Sequence, residues 1–165
     1  MPTKTITNVQ FKSSQWKTHL ANAESICELA ATSVWEKASK FDKAFEVTIV
    51  LADDALVKML NQKYRNQNKP TNVLSFPSSL EEPHFHGDLP TLGDVIIAFE
   101  TTKAEAHSRL SEHLSHLVVH GCLHLLGYDH EDDAAALEME ALEVKILLGL
   151  GIKNPYDSAC GCIIN

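Results

Sequence analysis

No run of apolar residues in this sequence approaches the ~20 that a membrane-spanning helix needs, although hydrophobic residues make up 44% of its 165 positions. The first ten residues, MPTKTITNVQ, lack the basic-then-apolar order of a secretory signal, so nothing suggests export. Cysteine is scarce, and its four positions are too unevenly spaced for a disulfide framework: Cys27, Cys122, Cys160 and Cys162. We therefore expect a soluble protein of the reducing cytoplasm with no membrane partner.

The sequence also shows no internal repeat and no linker. A chain of 165 residues is long enough to bury a substantial core without disulfide or metal staples. We predict one compact domain over residues 1–165, with residues 154–165 as a loose tail that carries Cys160 and Cys162.

Acidic residues are absent between Ala55 and Leu80, whereas the whole chain has a net charge of −8. The segment 55–80 therefore carries +4 and the remaining residues carry −12. Its basic residues are Lys58, Lys63, Arg65 and Lys69. A basic face on an acidic body suits a specific anionic ligand better than unselective nucleic-acid binding. Four solvated charges on an ordinary helix and loop are an equally good interpretation of the segment alone.

Hydrophobic periodicity predicts alternating strands and helices. Strands are expected at 4–11, 45–52, 73–77 and 93–99. Helices are expected at 15–38, from Asp53 or Asp54 to about Tyr64, from the end of the fourth strand to about Leu126, and from the acidic residues 131–133 to the glycines at 149 and 151. The stretch 78–91 is expected to be a surface loop. Four strands and several helices in one domain predict an α/β or α+β fold.

The stretch VVHGCLHLLGYDHED carries histidines at offsets of zero, four and ten: His120, His124 and His130. On a helix, His120 and His124 lie about 40° apart, and their Cβ atoms are only ~6 Å apart, so both rings can meet one metal ion. Cys122 points to the opposite, apolar side and is predicted to be a core residue. Gly127 can take the left-handed conformation that ends a helix, which allows His130 to face the same ion.

For any single histidine, a polar role on a partly exposed helix face is the better interpretation. The three together favour a metal site, because three neutral imidazoles leave a fourth tetrahedral position for water, as in catalytic zinc sites. Such an ion lowers the pKa of bound water to roughly 7. The nearby His113 and His116 are assigned to supporting or surface roles.

The same spacing occurs in metzincin proteases, HExxHxxGxxH, so proteolysis has to be considered. Gly121 occupies the position where those enzymes need a glutamate as general base. No methionine turn follows, since Met139 lies within the last predicted helix. Both observations argue against a protease.

HGCLHLLGYDH (120–130) resembles the signature H-G-x-L-H-L-x-G-Y-D-H of the YbeY family, bacterial metal-dependent endoribonucleases of ribosomal RNA maturation and ribosome quality control. LNQKYRNQNKPTNVLSFP (60–77) and LGDVIIA (92–98) resemble two further blocks of that family. The resemblance covers about 46 to 148. It implies a small mixed four-stranded sheet covered by helices, with a buried central helix near 109–126 that bears the metal.

The resemblance also implies a site. His120, His124 and His130 would be the ligands of one zinc ion per chain, and Arg65 the functionally important basic residue beside it. Asn68 and Asn72 stand where the family pattern has aspartates, so no carboxylate acts at those two places. The implied partners are ribosomal RNA precursors, the small ribosomal subunit and its assembly factors, with no organic cofactor.

The resulting expectation is a zinc-dependent endoribonuclease that acts on single-stranded or structured ribosomal RNA. Arg65 could hold a phosphate through its planar guanidinium. Asp129 is the nearest carboxylate for a base, but orienting a histidine or capping the last helix is an equally good role for it. The alternative function is a non-catalytic ribosome-assembly factor whose metal only pins the chain after Gly127 to the helix.

Overall fold

The structure is a computed structural model that describes residues 5–39, 44–78 and 89–156. Within these ranges the chain forms four strands and six helices. In chain order they are β1 (Ile6–Phe11), α1 (Gln15–His19), α2 (Ala23–Ala38), β2 (Glu46–Ala52), α3 (Asp54–Arg65), β3 (Val73–Pro77), β4 (Thr91–Ala98), α4 (Phe99–Ala106), α5 (Leu110–Leu125) and α6 (Asp133–Gly149). Among these helices, none combines the length and hydrophobicity needed to cross a membrane.

The four strands form one mixed sheet in the order β1-β2-β4-β3. β1, β2 and β4 are parallel to one another, and β3 pairs antiparallel with β4 at one edge of the sheet. In β2 every second residue is buried, namely Val47, Ile49 and Leu51, because alternate side chains of a strand point to one face. The predicted α/β class with a small mixed four-stranded sheet is confirmed.

Helices cover both faces of the sheet. On one face, α2 and α5 pack on the sheet within the larger apolar core, and α6 packs against both helices. On the other face, Val57 of α3 lies in a smaller cluster with Leu74 and Ile96. The side chain of Asp53 caps α3 by accepting a hydrogen bond from the amide of Leu56 at 2.9 Å, as predicted.

The buried central helix is α5, in which every residue from His113 to Leu123 is buried. It approaches the sheet closely at Gly121, where a Cβ atom would lie 2.6 Å from Val95 Cγ1. The hydroxyl of Ser75 donates to the carbonyl oxygen of Gly121 at 3.1 Å. This close packing explains the glycine between the first two histidines and brings that turn of α5 beside β3.

Two predicted helices are each broken in the structure. The helix predicted over 15–38 is interrupted at residues 20–22, between α1 and α2. The one predicted between β4 and Leu126 is interrupted at His107, which has a positive φ of 54°. The apolar spacing of three and four residues continues across both breaks, so periodicity could not reveal them.

Other predicted element boundaries differ from the observed ones by a few residues. Phe99, predicted to end a strand, begins α4, and Thr91 of the predicted loop begins β4. The rest of that loop from 79 to 88 lies outside the described residues. The same is true of residues 157–165 of the predicted tail, which include Cys160 and Cys162.

Candidate metal centre

The three predicted ligands come together at the end of α5. One ring nitrogen from each of His120, His124 and His130 lies within 4.8 Å of the others. The Nε2 atoms of His120 and His124 are 3.1 Å apart. His120 is buried, His124 partly buried and His130 exposed, so the cluster leads from the core to the surface.

The turn at Gly127 brings the third histidine back to the first two. Gly127 has a φ of 99°, as predicted for a helix-ending glycine. Its amide donates to the carbonyl of His124 at 3.0 Å, and the amide of Tyr128 donates to Leu123 at 3.1 Å. These two bonds close a Schellman motif, after which the His130 ring lies 5.2 Å from the His124 ring, centroid to centroid.

The Nδ1 atoms of the first two histidines are already engaged. Nδ1 of His124 lies 2.9 Å from the carbonyl oxygen of Tyr128, which can only accept a hydrogen bond. Nδ1 of His120 bonds to Oε1 of Glu143 on α6. A proton on Nδ1 leaves the lone pair on Nε2, so both rings present the atom that can bind a metal.

The electrostatics of the cluster also favour neutral ligands. Burial, together with charge repulsion from the neighbouring His120 and His130, lowers the pKa of His124 from 6.5 to about 4. For Glu143, burial alone would raise the pKa, but the interactions with His116 and His120 outweigh burial and hold the pKa below its usual range. The imidazole of His124 is therefore neutral near pH 7, as a metal ligand must be.

Sequence reasoning missed Glu143, although its position carries a signal. Its side chain is 1% exposed, on the same buried stripe of α6 as Met139, Ile146 and Leu147. A carboxylate within an apolar helical stripe is rare unless it is paired. Its second oxygen accepts a hydrogen bond from the hydroxyl of Tyr156, which sequence reasoning also missed.

The other residues singled out on α5 are buried as well. His113 Nε2 lies 2.9 Å from Glu105, and His116 Nε2 lies 3.6 Å from Glu143. Burial excludes the surface role considered for both histidines, and His116 contacts the carboxylate that bonds His120. Cys122 is fully buried and burial raises the pKa of its thiol, which agrees with the predicted core role.

Arg65 ends α3, which packs on the opposite face of the sheet from the histidine-bearing helix α5. Its Nη2 donates to the carbonyl oxygen of Ser75 at 3.4 Å, and its side chain is exposed. A cavity of about 370 Å³ lies between Arg65 and the three histidines. The other residues that line it are Val73, Ser75, Pro77, Gly127, Tyr128, Asp129 and Glu131.

The remaining polar candidates have separate roles. Asp132, not Asp129, caps α6 by accepting from the amide of Ala135 at 2.7 Å. Asp129 accepts from the amide of Glu131 at 3.2 Å and lines the cavity. Asn72 is buried and donates to Glu105 at 3.0 Å, and Asn68 is exposed. Neither asparagine is among the cavity-lining residues.

The donor set fits a transition metal ion. Three imidazoles suit zinc and its neighbours, and oriented Nδ1–H groups are the usual second layer of such sites. A cavity on one side of the cluster and a guanidinium across it would admit an anionic substrate to the ion. The arrangement can therefore support metal-assisted hydrolysis or transfer at a phosphate ester.

Comparison with known proteins gives concordant results. A family model described as endoribonuclease YbeY matches residues 8–151. An endoribonuclease YbeY of Paramagnetospirillum magneticum is 51% identical over 146 residues, which are 86% of this chain and 89% of that protein. One from Bradyrhizobium diazoefficiens is 46% identical over 140 residues, 82% of this chain and 76% of that protein. A solution structure of a Thermotoga maritima protein has a TM-score of 0.53 and 26% identity, covering 96% of this chain and all of that one.

Proposed function

The chain belongs to the endoribonuclease YbeY family, and from that premise we propose that it cleaves ribosomal RNA precursors with one zinc ion held by His120, His124 and His130. The observation that carries this proposal is the convergence of the three ring nitrogens within 4.8 Å. The two Nδ1 bonds support it, because they leave the Nε2 atoms of His120 and His124 free to bind the ion.

Cleavage of a phosphodiester needs a positioned backbone and stabilisation of the charge that develops on the phosphate oxygens. A zinc ion in this site supplies Lewis acidity and lowers the pKa of a coordinated water. Arg65 uses one donor on Ser75 and keeps the rest of its guanidinium for a phosphate in the cavity. Asp129 is a cavity-lining carboxylate at which a proton could be held.

The basic segment 55–80 supports an RNA substrate. Lys58, Lys63 and Lys69 are exposed on α3 and the loop after it, on either side of Arg65 in the sequence. Arg65 is the one basic residue of this segment that lines the cavity. In this proposal the three lysines contact the phosphates of the RNA backbone. The substrate is precursor RNA of the small ribosomal subunit, and the protein acts in the cytoplasm together with the assembly factors of that subunit.

The test is cleavage of ribosomal precursor RNA by the purified, zinc-loaded protein, with His120→Ala purified in parallel. We expect cleavage by the wild type, more of single-stranded than of duplex RNA, and none by the variant. Equal cleavage by both proteins would indicate a contaminating nuclease and contradict the proposal. A zinc-loaded protein that binds the small ribosomal subunit but cuts no RNA would favour the non-catalytic assembly factor.

A further inference from the structure

We propose that Glu143 is a positioning residue that fixes His120 with its Nε2 towards the metal, and that Tyr156 and His116 hold Glu143 in place. This inference rests on the proposed metal site and adds three residues to it. None of these three residues lines the substrate cavity. The residues that line it belong to α3, β3, the end of α5 and the loop after α5.

The tautomer of His120 is set by its hydrogen bond to Glu143. A neutral imidazole carries its proton on one nitrogen only, and the carboxylate of Glu143 can only accept. The bond between Glu143 Oε1 and His120 Nδ1 therefore fixes the proton on Nδ1. The lone pair is left on Nε2, which lies 3.1 Å from Nε2 of His124. The opposite tautomer would place a lone pair against the carboxylate and a proton at the metal position.

The carboxylate of Glu143 is held in turn by two neighbouring side chains. Glu143 is 1% exposed, and a carboxylate so deeply buried must have its oxygens paired. Its Oε2 accepts from the hydroxyl of Tyr156 and lies 3.6 Å from Nε2 of His116. Nε2 of His116 is also 3.5 Å from the hydroxyl of Tyr156. Three parts of the chain, α5, α6 and the segment after α6, thus meet at one side chain.

His120 and His124 are oriented by different kinds of group. His124 is oriented by the backbone carbonyl of Tyr128, which no substitution removes. His120 is oriented by a side chain that comes from another helix. Orientation of His120 is therefore the part of the site that a single substitution can remove without changing a ligand.

The wild-type protein provides the first test. Long-range ¹H–¹⁵N correlation spectra of the metal-free protein identify which ring nitrogen of His120 carries the proton. We expect Nδ1. A proton on Nε2 would overturn the inference, and this result does not depend on any variant folding.

Zinc affinity, measured by competition with a chromophoric chelator, provides the second test. In Glu143→Gln the amide can donate to Nδ1 and favour the wrong tautomer, so we expect zinc binding about 10–100-fold weaker. Tyr156→Phe should weaken it less, since the carboxylate remains. Glu138→Gln, an exposed change on the same helix, should bind like the wild type.

Zinc binding by the wild type and by Glu143→Gln distinguishes a failure of the proposed metal site from a failure of the role of Glu143. A wild-type protein that binds no zinc would remove the proposed site. Normal binding by the wild type together with unchanged binding by folded Glu143→Gln would overturn only the role of Glu143. Should circular dichroism show that Glu143→Gln does not fold, the wild-type tautomer still decides, because a proton on Nε2 of His120 overturns the inference. Unchanged zinc affinity in Tyr156→Phe overturns the role of Tyr156.

Discussion

Nη2 of Arg65 lies 3.4 Å from the carbonyl oxygen of Ser75, so a side chain from α3 reaches across the edge strand β3 to the face that carries the histidines. This contact uses one of the five N–H donors of the guanidinium and fixes its direction. Arg65 also lines the cavity that the three histidines share. The edge of the sheet thus lies between the basic segment and the three histidines.

Arg65→Ala should lower the rate of RNA cleavage by about 10²-fold or more, because a preorganised donor to the phosphate is lost. Arg65→Lys should restore only part of the rate, since the charge returns without the planar, bidentate geometry. Zinc content and melting temperature should stay at wild-type values because the side chain is exposed. Wild-type cleavage by Arg65→Ala would show that the residue takes no part in the reaction.

Lys63→Ala and Lys69→Ala should weaken RNA binding mildly and make it less sensitive to salt. If each lysine neutralises one phosphate, the slope of log affinity against log salt should become shallower by about 0.7 for single-stranded RNA. Filter binding at several salt concentrations measures this slope. Slopes equal to that of the wild type in both variants would mean that these exposed lysines are simply solvated.

Gly121→Ala should lower the free energy of unfolding by about 1 kcal/mol or more. Its new Cβ would lie 2.6 Å from Val95 Cγ1 and 3.2 Å from Ser75 Oγ, and overpacking of this kind costs about 1–3 kcal/mol. Gly149→Ala is the matched control, because its Cβ meets only the mobile end of Lys37 and should be neutral or slightly stabilising. Urea unfolding of both variants measures the difference. Equal stability of the two would contradict the close approach of α5 to the sheet.

The metal-free protein should lose stability as the pH falls from 6.5 towards 4. The pKa of His124 is lowered from 6.5 to about 4 in the folded state by burial and the neighbouring histidines. Between these values the unfolded chain binds a proton that the folded chain does not, so stability is complete above 6.5 and decreases as the pH falls. Urea unfolding in the presence of a chelator measures the effect. His124→Asn has no ring to protonate and should show a shallower pH dependence; an identical dependence in both proteins would contradict the assignment.

The part of the site that could be predicted from the sequence is the part that is local in the chain. His120, His124 and His130 lie within eleven residues, and a helix followed by a glycine turn is enough to bring them together. Glu143 and Tyr156 could not be placed, because their contacts depend on how α6 packs against α5. The same limit applied to β3, whose antiparallel position at the sheet edge follows from tertiary pairing and not from its own five residues.

Helix boundaries show a related limit. The breaks at residues 20–22 and at His107 interrupt helices whose apolar spacing continues unchanged. Hydrophobic periodicity indicates which face of a segment is buried. It does not reveal a change in the direction of the chain that leaves the same face buried. The capping residue Asp53 could be predicted because its bond to Leu56 lies within one turn.

The most direct test of the account is the rate of RNA cleavage by metal-stripped protein as zinc is added. We predict no cleavage before addition, a rise to a plateau at one zinc per chain, and no cleavage at any zinc concentration by His120→Ala, His124→Ala or His130→Ala. Full cleavage by the stripped wild-type protein, or zinc-dependent cleavage by all three variants, would contradict a metal centre formed by these histidines.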